Sequence, residues 1–347
     1  MTRVVFRADA GPRIGAGHIV RCLALAVELK SRGARIAFAM RRGSAQATPG
    51  FAESGFETID LPENGDDVVP MIAGSTEPTD IAIVDHYRWD LGSEKALRPR
   101  AAKVVVIDDL ADRAHDADLL VDATPGRQAS DYARLVPDDA RVLVGPRYAM
   151  LRPEFAAFRK RHVGRPAPSG GDLNVLVSFG GVDSKNLTAR TLDAIGMSGL
   201  DCRVDVVLGR AAPHIEAIRG IVARLAAGGI GAVLHVQSER MAALMSRADL
   251  AVGAAGGTAL ERCVLGLPSI VVALADNQVG SARALAATGA VAFLGRHEDI
   301  SARDIADALN ALAKDAAARR RMAERAAGIC DGMGAGRVAD AVIALAA

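Results

Sequence analysis

Residues 3–33, RVVFRADAGPRIGAGHIVRCLALAVELKSRG, contain the pattern that decides the fold. Arg3–Arg7 is an apolar run typical of a buried strand, and a loop with several glycines, Ala10–Gly17, follows it. Apolar residues then recur at helical spacing, at Ile19, Leu23, Ala26 and Leu29. Gly33 predicts the end of this helix. A strand, a glycine loop and a helix in this order indicate the start of a parallel α/β sheet.

The same alternation continues along the chain. In the first half, apolar runs predict further strands at Arg35–Met40, Ile81–Val84, Val104–Ile107, Leu119–Val121 and Val142–Val144. In the second half, they predict strands at Asn174–Phe179, Asp205–Leu208, Gly231–Val236, Leu250–Val252 and Ser269–Ala273. Because these runs are apolar throughout, helices should cover both faces of each sheet. We therefore expect an α/β protein with two Rossmann-like domains, whose parallel sheets face each other across a ligand-binding cleft.

A polar segment rich in proline and glycine, RKRHVGRPAPSGG at residues 159–171, separates the two halves. Its composition is typical of a linker between domains. We therefore predict an N-terminal domain at residues 1–158 and a C-terminal domain at residues 172–347, which ends in alanine-rich helices.

The composition excludes several classes of protein. With 42 basic and 41 acidic residues, no basic run and only 3% aromatic residues, the chain is unlike a nucleic-acid-binding protein. Its four cysteines are widely spaced, which argues against a zinc ribbon or a disulfide framework. No apolar stretch is long enough to span a bilayer, and Met1–Arg7 lacks a signal-peptide core. We expect a cytoplasmic enzyme that acts on a small molecule and does not bind membranes.

The first glycine loop, Ile14–His18, is a candidate site. It is not a dinucleotide-binding fingerprint, because Val20 occupies the third glycine position. Gly15 and Gly17 would let a ligand approach the backbone, and His18 at the start of the helix is a candidate general base. The alternative is a tight turn that carries an incidental exposed histidine.

Polar residues also follow two neighbouring strands of the first half. Asp85, His86 and Tyr87 come directly after one strand, and Tyr87 is a candidate hydrogen-bond donor to a substrate oxygen. Asp108-Asp109 ends the next strand in the same way. The alternatives are a tyrosine packed on the surface and carboxylates that cap turns or helices.

In the second half, the stretch Gly253–Thr258 precedes a helix that carries Glu261. Backbone N–H groups at such a loop, near Gly257 and Thr258, can hold a diphosphate without a metal. Glu261 is a candidate acceptor for the hydroxyls of a ribose, and Gly180-Gly181 is a second loop that a ligand could approach. The alternative is an ordinary loop with a solvated glutamate.

Three consecutive polar residues, Asp276, Asn277 and Gln278, follow the strand Ser269–Ala273. Acid and amide side chains at a strand end suit the recognition of sugar hydroxyl or acetamido groups. The alternative is a polar cap on the next helix.

These motifs belong to an ordered set that, over nearly the whole chain, resembles the UDP-2,4-diacetamido-2,4,6-trideoxy-β-L-altropyranose hydrolases of pseudaminic acid biosynthesis, the PseG family. The matching segments are RAD at 7–9, IGAGH at 14–18, RCLALA at 21–26, VDHY at 84–87, IDDLADR at 107–113, GPRYAMLRPEF at 145–155, FGGVD at 179–183, NLT at 186–188, ADNQ at 275–278 and DGMGAGRV at 331–338. The chain departs from the family pattern at Met150 and Ala254-Ala255, which leaves the sugar open.

The resemblance implies a GT-B fold like that of MurG, and hydrolysis of the sugar–UDP bond at the anomeric carbon, without a metal or other cofactor. It implies that the catalytic residues are His18, Tyr87 and Asn277. With the motifs above, it predicts that the substrate-binding residues are Asp9, Gly15, Gly17, Gly180, Gly181, Gly257, Thr258, Glu261, Asp276 and Gln278. The N-terminal domain would then hold the catalytic histidine, the C-terminal domain would bind UDP, and the protein would be a monomer or a weak oligomer. The alternatives are a GT-B glycosyltransferase, a hydrolase of a related UDP-sugar, and a non-catalytic regulator that binds a nucleotide sugar.

Overall fold

The computed structural model describes residues 1–11, 14–48, 50–62, 78–163 and 173–346, and it divides into two compact units. The first unit comprises Met1–Pro153 together with Gly332–Ala347, and the second comprises Glu154–Asp331. Each unit is built on one parallel sheet covered by helices.

The sheet of the first unit has seven strands among the described residues, in the order β3-β2-β1-β4-β5-β6-β7. They are β1 (Arg3–Ala8), β2 (Arg35–Arg41), β3 (Glu57–Leu61), β4 (Thr79–Asp85), β5 (Ala101–Ile107), β6 (Leu119–Asp122) and β7 (Arg141–Val144). Ala8 at the end of β1 pairs with Asp85 at the end of β4. The residues that follow β1, β4 and β5 therefore lie at one edge of the sheet, where ligands of parallel α/β folds bind.

The sheet of the second unit has six described strands in the order β10-β9-β8-β11-β12-β13. They are β8 (Leu173–Ser178), β9 (Cys202–Leu208), β10 (Gly231–Val236), β11 (Leu250–Ala254), β12 (Ser269–Ala273) and β13 (Ala292–Arg296). The central strands β8, β11 and β12 carry the glycine loops and polar residues that the sequence points to.

The described helices are α1 (Gly17–Ser31), α2 (Phe51–Ser54), α3 (Leu91–Leu97), α4 (Pro153–His162), α5 (Leu187–Ser198), α6 (Ile215–Ala227), α7 (Met241–Arg247), α8 (Thr258–Val264), α9 (Asn277–Ala287), α10 (Ala302–Lys314), α11 (Ala316–Ala327) and α12 (Gly334–Ile343). Short 3₁₀ helices lie at Ala129–Tyr132 and Pro146–Tyr148. None of the described helices is long and apolar enough to cross a membrane.

Helix α1 positions the first glycine loop because one of its faces is anchored in the core. Ile19, Leu25 and Leu29 are fully buried beside Phe6 and Phe38, whose rings stack with centroids 4.8 Å apart. Burial of each such aliphatic side chain contributes roughly 1.5–3 kcal/mol. The start of α1 is therefore fixed relative to the ends of the strands.

The division into units corrects the predicted domain boundaries in two places. Residues 332–347, predicted to end the C-terminal domain, pack in the first unit, because Val338 and Val342 of α12 are buried in the same core as α1. The predicted linker at 159–171 begins inside α4, which continues to His162. The remainder of that prediction, residues 164–171, lies outside the described residues.

Two strands lacked a signal in the sequence. In β3, the burial of side chains alternates imperfectly, and in β13 every residue is only partly buried or exposed. Both strands lie at the edge of a sheet, so neither needs the continuous apolar run by which the central strands are recognised.

Candidate active site

The first glycine loop folds back on itself just before α1. Gly11 and Gly15 exchange two backbone hydrogen bonds of 3.0 and 2.7 Å, and Gly15 has a φ of +73°, a conformation that favours glycine. Apart from its neighbours along the chain, a Cβ atom at Gly15 or Gly17 would meet no atom of the described residues within 4 Å. Neither position is therefore crowded by the described residues around the start of α1.

His18 on the first turn of α1 is held by Asp85 at the end of β4. The Nδ1 atom of His18 lies 2.6 Å from Oδ1 of Asp85, and both side chains are largely buried. Because Asp85 is a carboxylate and can only accept, Nδ1 carries the proton and donates it. The other ring nitrogen, Nε2, has no hydrogen-bond partner among the described residues and is left as the basic atom.

Arg21, one helical turn after His18, forms hydrogen bonds with the same carboxylate. Its Nε and Nη2 atoms each lie 2.6 Å from one oxygen of Asp85, and its Nη1 atom donates to Asp109 at 3.0 Å. Burial raises the pKa of Asp85, but the charge of Arg21 and the hydrogen bonds from Arg21 and His18 outweigh it and hold that pKa well below its usual range. Asp85 therefore stays ionised beside His18.

Tyr87 packs against the imidazole of His18, with the two rings edge-to-face and their centroids 4.7 Å apart. Its hydroxyl donates to Oδ2 of Asp109 at 3.2 Å, while the side chain remains 40% exposed. Burial and the negative charge of Asp109 raise the pKa of Tyr87, so the hydroxyl keeps its proton. With that proton directed to Asp109, the oxygen of Tyr87 can accept a hydrogen bond from a ligand. The sequence had suggested that it donates one.

Asp9, predicted to bind the substrate, is nearly fully buried just after β1. Its oxygens accept hydrogen bonds of 2.8 Å from the Arg7 side chain and the Arg41 backbone, and His86 Nε2 lies 3.4 Å away. Burial alone would raise the pKa of Asp9. Hydrogen bonds from His86 and Arg7 outweigh this effect and hold the pKa well below its usual range, so the carboxyl is ionised. Both oxygens are thus engaged by the protein itself.

Asp108, the neighbour of Asp109, also forms its hydrogen bonds within the protein. It accepts a hydrogen bond of 2.8 Å from the Tyr132 hydroxyl, which also donates to Asp122, and one of 2.7 Å from the Ala111 backbone. This buried cluster joins the ends of β5 and β6. The two acidic residues in sequence therefore differ in role, since Asp109 faces Arg21 and Tyr87 whereas Asp108 stabilises a turn.

In the second unit, the predicted phosphate loop Gly253–Thr258 lies above a buried arginine. Arg262 donates from Nη2 to the Ala254 carbonyl at 2.6 Å, and burial lowers its pKa to about 10. A Cβ atom at Gly253 would come within 2.3 Å of the Ser178 carbonyl and 2.8 Å of Arg262 Nη1. Gly253 is therefore required by the close packing of β8, β11 and Arg262.

The outer part of this loop is open. Apart from its neighbours along the chain, a Cβ atom at Gly257 would meet none of the described residues within 4 Å. Thr258 is half-buried at the start of α8. Glu261, which follows Thr258 by one helical turn, is largely buried. The second unit thus combines an accessible glycine backbone with a carboxylate one turn away.

Residues 276–278 lie beside the glycine loop Gly253–Thr258. The Gln278 side chain accepts a hydrogen bond of 2.9 Å from the Leu274 backbone, and its Nε2 lies 3.5 Å from a Cβ position at Gly256. Asp276 forms an ion pair of 2.6 Å with Arg296 on β13. Asn277 is exposed at the start of α9. The structure therefore brings Gln278 to the glycine loop and leaves Asn277 accessible.

The glycine pair after β8 packs against another part of the backbone. The Gly181 carbonyl accepts a hydrogen bond of 2.8 Å from Gly209 N, and a Cβ atom at Gly209 would lie 2.4 Å from that carbonyl. Gly180 has a φ of +93°. The close contact between the two loops therefore requires glycine at position 209, whereas a Cβ atom at Gly181 would lie at an ordinary distance of 3.9 Å from the Gly209 Cα atom.

The structure thus groups His18 and Tyr87 in the first unit, and Gly257, Thr258, Glu261 and Gln278 in the second. Sequence reasoning assigned no role to Asp85, Arg21 or Arg262. The available signals were the helical spacing of three between His18 and Arg21, and the acidic residue that ends β4. The sequence gives no signal for the pairing itself, because Arg21 and Asp85 are 64 residues apart.

Comparison with protein families gives a match to the glycosyltransferase family 28 C-terminal domain at residues 234–334. Among solved structures, the chain is similar over 99% of its length to Acinetobacter baumannii MurG, with a TM-score of 0.72 and 17% identity, and the match covers all of that protein. It is similar over the same share to Anabaena HepE in complex with UDP, with a TM-score of 0.64 and 12% identity, again over the whole of that chain. The fold is the GT-B fold.

Three curated relatives are more similar in sequence. An uncharacterized protein of Methanocaldococcus jannaschii, MJ1062, is 26% identical over 78% of this chain, which spans only 55% of that relative. The spore coat polysaccharide biosynthesis protein SpsG of Bacillus subtilis is 27% identical, over 84% of this chain and 83% of SpsG. The UDP-2,4-diacetamido-2,4,6-trideoxy-β-L-altropyranose hydrolase of Campylobacter jejuni is 24% identical, over 83% of this chain and 97% of the hydrolase.

Proposed function

We propose that this protein is a hydrolase that cleaves UDP from UDP-2,4-diacetamido-2,4,6-trideoxy-β-L-altropyranose at the anomeric carbon. The observation that carries the proposal is the His18–Asp85 pair, which leaves His18 Nε2 as a base without a hydrogen-bond partner in the described part of the chain, beside the first glycine loop. The similarity to the Campylobacter jejuni hydrolase, which extends over nearly all of that protein, supports the choice of substrate.

In the proposed reaction, the oxygen of a water molecule forms a bond to the anomeric carbon while the bond from that carbon to the β-phosphate oxygen of UDP breaks. His18 Nε2 accepts the proton that the water loses, and the bonding electron pair departs with UDP. Asp85 stabilises the imidazolium that forms, because it is ionised and hydrogen-bonded to Nδ1. The products are UDP, the free sugar and one proton, which His18 returns to solvent.

The second unit would hold the leaving group. Backbone N–H groups near Gly257 and Thr258 would donate to the diphosphate, and Glu261 would accept hydrogen bonds from the ribose hydroxyls. The match of residues 234–334 to a glycosyltransferase C-terminal domain supports this assignment, because the match includes the loop and Glu261.

The sugar would be read by groups that suit its two acetamido substituents. Asn277 is exposed and offers an amide that can both donate and accept. Tyr87 offers an acceptor, since its proton is directed to Asp109. Asp276 and Gln278 are engaged by Arg296 and Leu274, and we assign them to shaping the site around Asn277.

A glycosyltransferase of family 28 is the second candidate, and the family match of residues 234–334 favours it. Such an enzyme would use the same UDP-binding unit, but an acceptor hydroxyl would replace water at the anomeric carbon. A hydrolase of a related UDP-sugar would share the whole site.

The deciding experiment is to incubate the protein with a panel of UDP-sugars and no acceptor, and to measure the release of UDP and of free sugar. Stoichiometric release of both products, fastest with the 2,4-diacetamido-2,4,6-trideoxy sugar, is the expected result. Release that requires an added sugar or lipid acceptor would identify a transferase. Tight binding without turnover of excess substrate would identify a binding protein.

Replacing Glu261 with alanine should weaken the binding of UDP alone by roughly 1–3 kcal/mol, because charge-assisted hydrogen bonds to the ribose are lost. Calorimetry with UDP measures the change. Glu261→Gln, which keeps one acceptor of the same shape, should lose less, and Glu216→Ala on the exposed side of α6 should lose nothing. Unchanged affinity in Glu261→Ala would place the ribose elsewhere.

Activity should survive EDTA. The carboxylates at the sheet edge of the first unit are already paired, Asp9 with Arg7, Asp85 and Asp109 with Arg21, and Asp108 with Arg113. These arginines compete with any cation, so the loop backbone of the second unit would have to stabilise the leaving diphosphate. The rate of UDP release should be nearly the same with chelator as with added magnesium. Loss of activity in EDTA that magnesium or manganese restores would contradict this mechanism.

A further inference from the structure

Arg21 contacts His18, Asp85 and Asp109 through its guanidinium, and the proposed reaction gives it no role. It lies one turn after His18 on α1, so the two side chains share a face of the helix. Its guanidinium joins the carboxylates that follow two neighbouring strands, Asp85 of β4 and Asp109 beyond β5.

We propose that Arg21 is a positioning residue for His18: it holds the Asp85 carboxylate in one orientation and offsets its charge, so that His18 remains a neutral base. The inference rests on the proposed function, in which His18 accepts a proton. Arg21 itself would touch neither the water nor the sugar.

The geometry of the ion pair supports the orienting role. Nε and Nη2 of Arg21 form two parallel contacts of 2.6 Å with the two oxygens of Asp85. Such a bidentate arrangement fixes the plane of a carboxylate, which lysine cannot do with a single ammonium. Since Oδ1 of Asp85 also accepts from His18, fixing this plane fixes the direction of the imidazole.

The charges around His18 support the second role. A buried carboxylate beside a histidine favours the protonated ring, and a protonated ring cannot act as a base. The groups near His18 are Arg21 and Cys22 on α1, Asp85 on β4 and Tyr87 after it. Cys22 and Tyr87 are neutral because burial raises the pKa of each. The positive charge that counters Asp85 is therefore Arg21, whose Nη2 lies 3.3 Å from the His18 Nδ1 atom.

Arg21 also contacts Asp109, and through Asp109 it is linked to Tyr87. Asp109 accepts from Arg21 Nη1 at 3.0 Å and from the Tyr87 hydroxyl at 3.2 Å, both at the same oxygen. The edge-to-face packing of Tyr87 on His18 is thus tied to the same guanidinium. More remote charges are paired elsewhere, since Asp9 is held by Arg7 and His86.

The test is a pair of Arg21 variants measured in two ways. Arg21→Met removes the charge and keeps most of the volume, whereas Arg21→Lys keeps the charge and loses the bidentate contact. The first measurement is the titration of the His18 imidazole by NMR, with the His18 signal assigned by its absence in His18→Asn. The second is the pH dependence of kcat/KM for the UDP-sugar. Arg32→Met, at the other end of α1, is the matched control.

In Arg21→Met, both the imidazole titration and the acid limb of the pH profile should move to higher pH by about one unit or more. In Arg21→Lys, both should stay close to wild type while kcat falls. Arg32→Met should change neither. A purely structural role would lower the yield of folded protein and leave both curves in place. If Arg21→Met does not fold, Arg21→Gln, which is neutral and keeps a donor to Asp85, replaces it.

An unchanged His18 titration in the neutral variant would overturn the inference about Arg21, even if the wild-type protein hydrolyses the UDP-sugar. Absence of any UDP-sugar turnover by the wild type would instead overturn the proposed function. The NMR measurement needs no substrate, so it separates these two failures.

Discussion

A His18→Asn variant should hydrolyse its UDP-sugar at least about 100-fold more slowly than the wild-type protein, with nearly unchanged affinity for UDP. Asparagine can still donate a hydrogen bond to Asp85, so the local structure should persist, but it supplies no basic nitrogen to accept a proton from water. UDP affinity should persist because the proposed nucleotide site lies wholly in the second unit. Steady-state kinetics and calorimetry with UDP measure the two quantities.

The effect must be specific to this imidazole. His235→Asn is the matched control, because His235 is a partly exposed histidine on β10, where it contacts Asp205. The turnover of the His235→Asn variant should equal that of the wild-type protein. Near wild-type turnover in His18→Asn would defeat the assignment of His18 as the base, and a large loss of UDP affinity would place His18 in the nucleotide site.

The sequence predicts the central strands of both sheets and the edge strands β7 and β10, but it misses the edge strands β3 and β13. Strands such as Val104–Ile107 are covered on both faces and therefore need an apolar run, which a sequence displays directly. The edge strand Glu57–Leu61 exposes most of its side chains and has no such run. A local pattern also cannot show that α12 packs on α1, because two segments about 300 residues apart share that core.

The sequence indicates which residues could belong to the candidate site. It does not indicate which of their side chains contact each other. His18 and Tyr87 stand at a helix start and after a strand, where parallel α/β folds place ligands, and both lie there. The burial of Asp9 and the double contact of Arg21 with Asp85 depend on how separate strands pack. No motif spacing encodes these contacts, so the partners that determine how His18 behaves emerge only from the structure.

A Gly334→Ala substitution should destabilise the first unit by about 1–3 kcal/mol, although it adds only one methyl group. A Cβ atom there would lie 2.3 Å from the Ala149 carbonyl oxygen and 2.6 Å from Ala149 N. Both are backbone atoms at the 3₁₀ helix Pro146–Tyr148, so neither can swing aside as a flexible side chain would. Helix α12 would have to move away and uncover part of the core that it shares with α1.

Gly336→Ala in the same helix is a control of opposite sign. Its nearest neighbours would be the tips of Arg32 and Glu28 at 3.6 Å, which is ordinary contact, and alanine in a helix is favoured over glycine by up to about 1 kcal/mol. Urea unfolding of the whole chain, followed by a probe in the first unit, should give a lower midpoint for Gly334→Ala and an equal or higher one for Gly336→Ala. Equal midpoints for Gly334→Ala and wild type would mean that α12 does not pack this closely.

Because α1 carries His18 and buries its other face under α12, Gly334→Ala should also lose activity at a lower temperature than wild type.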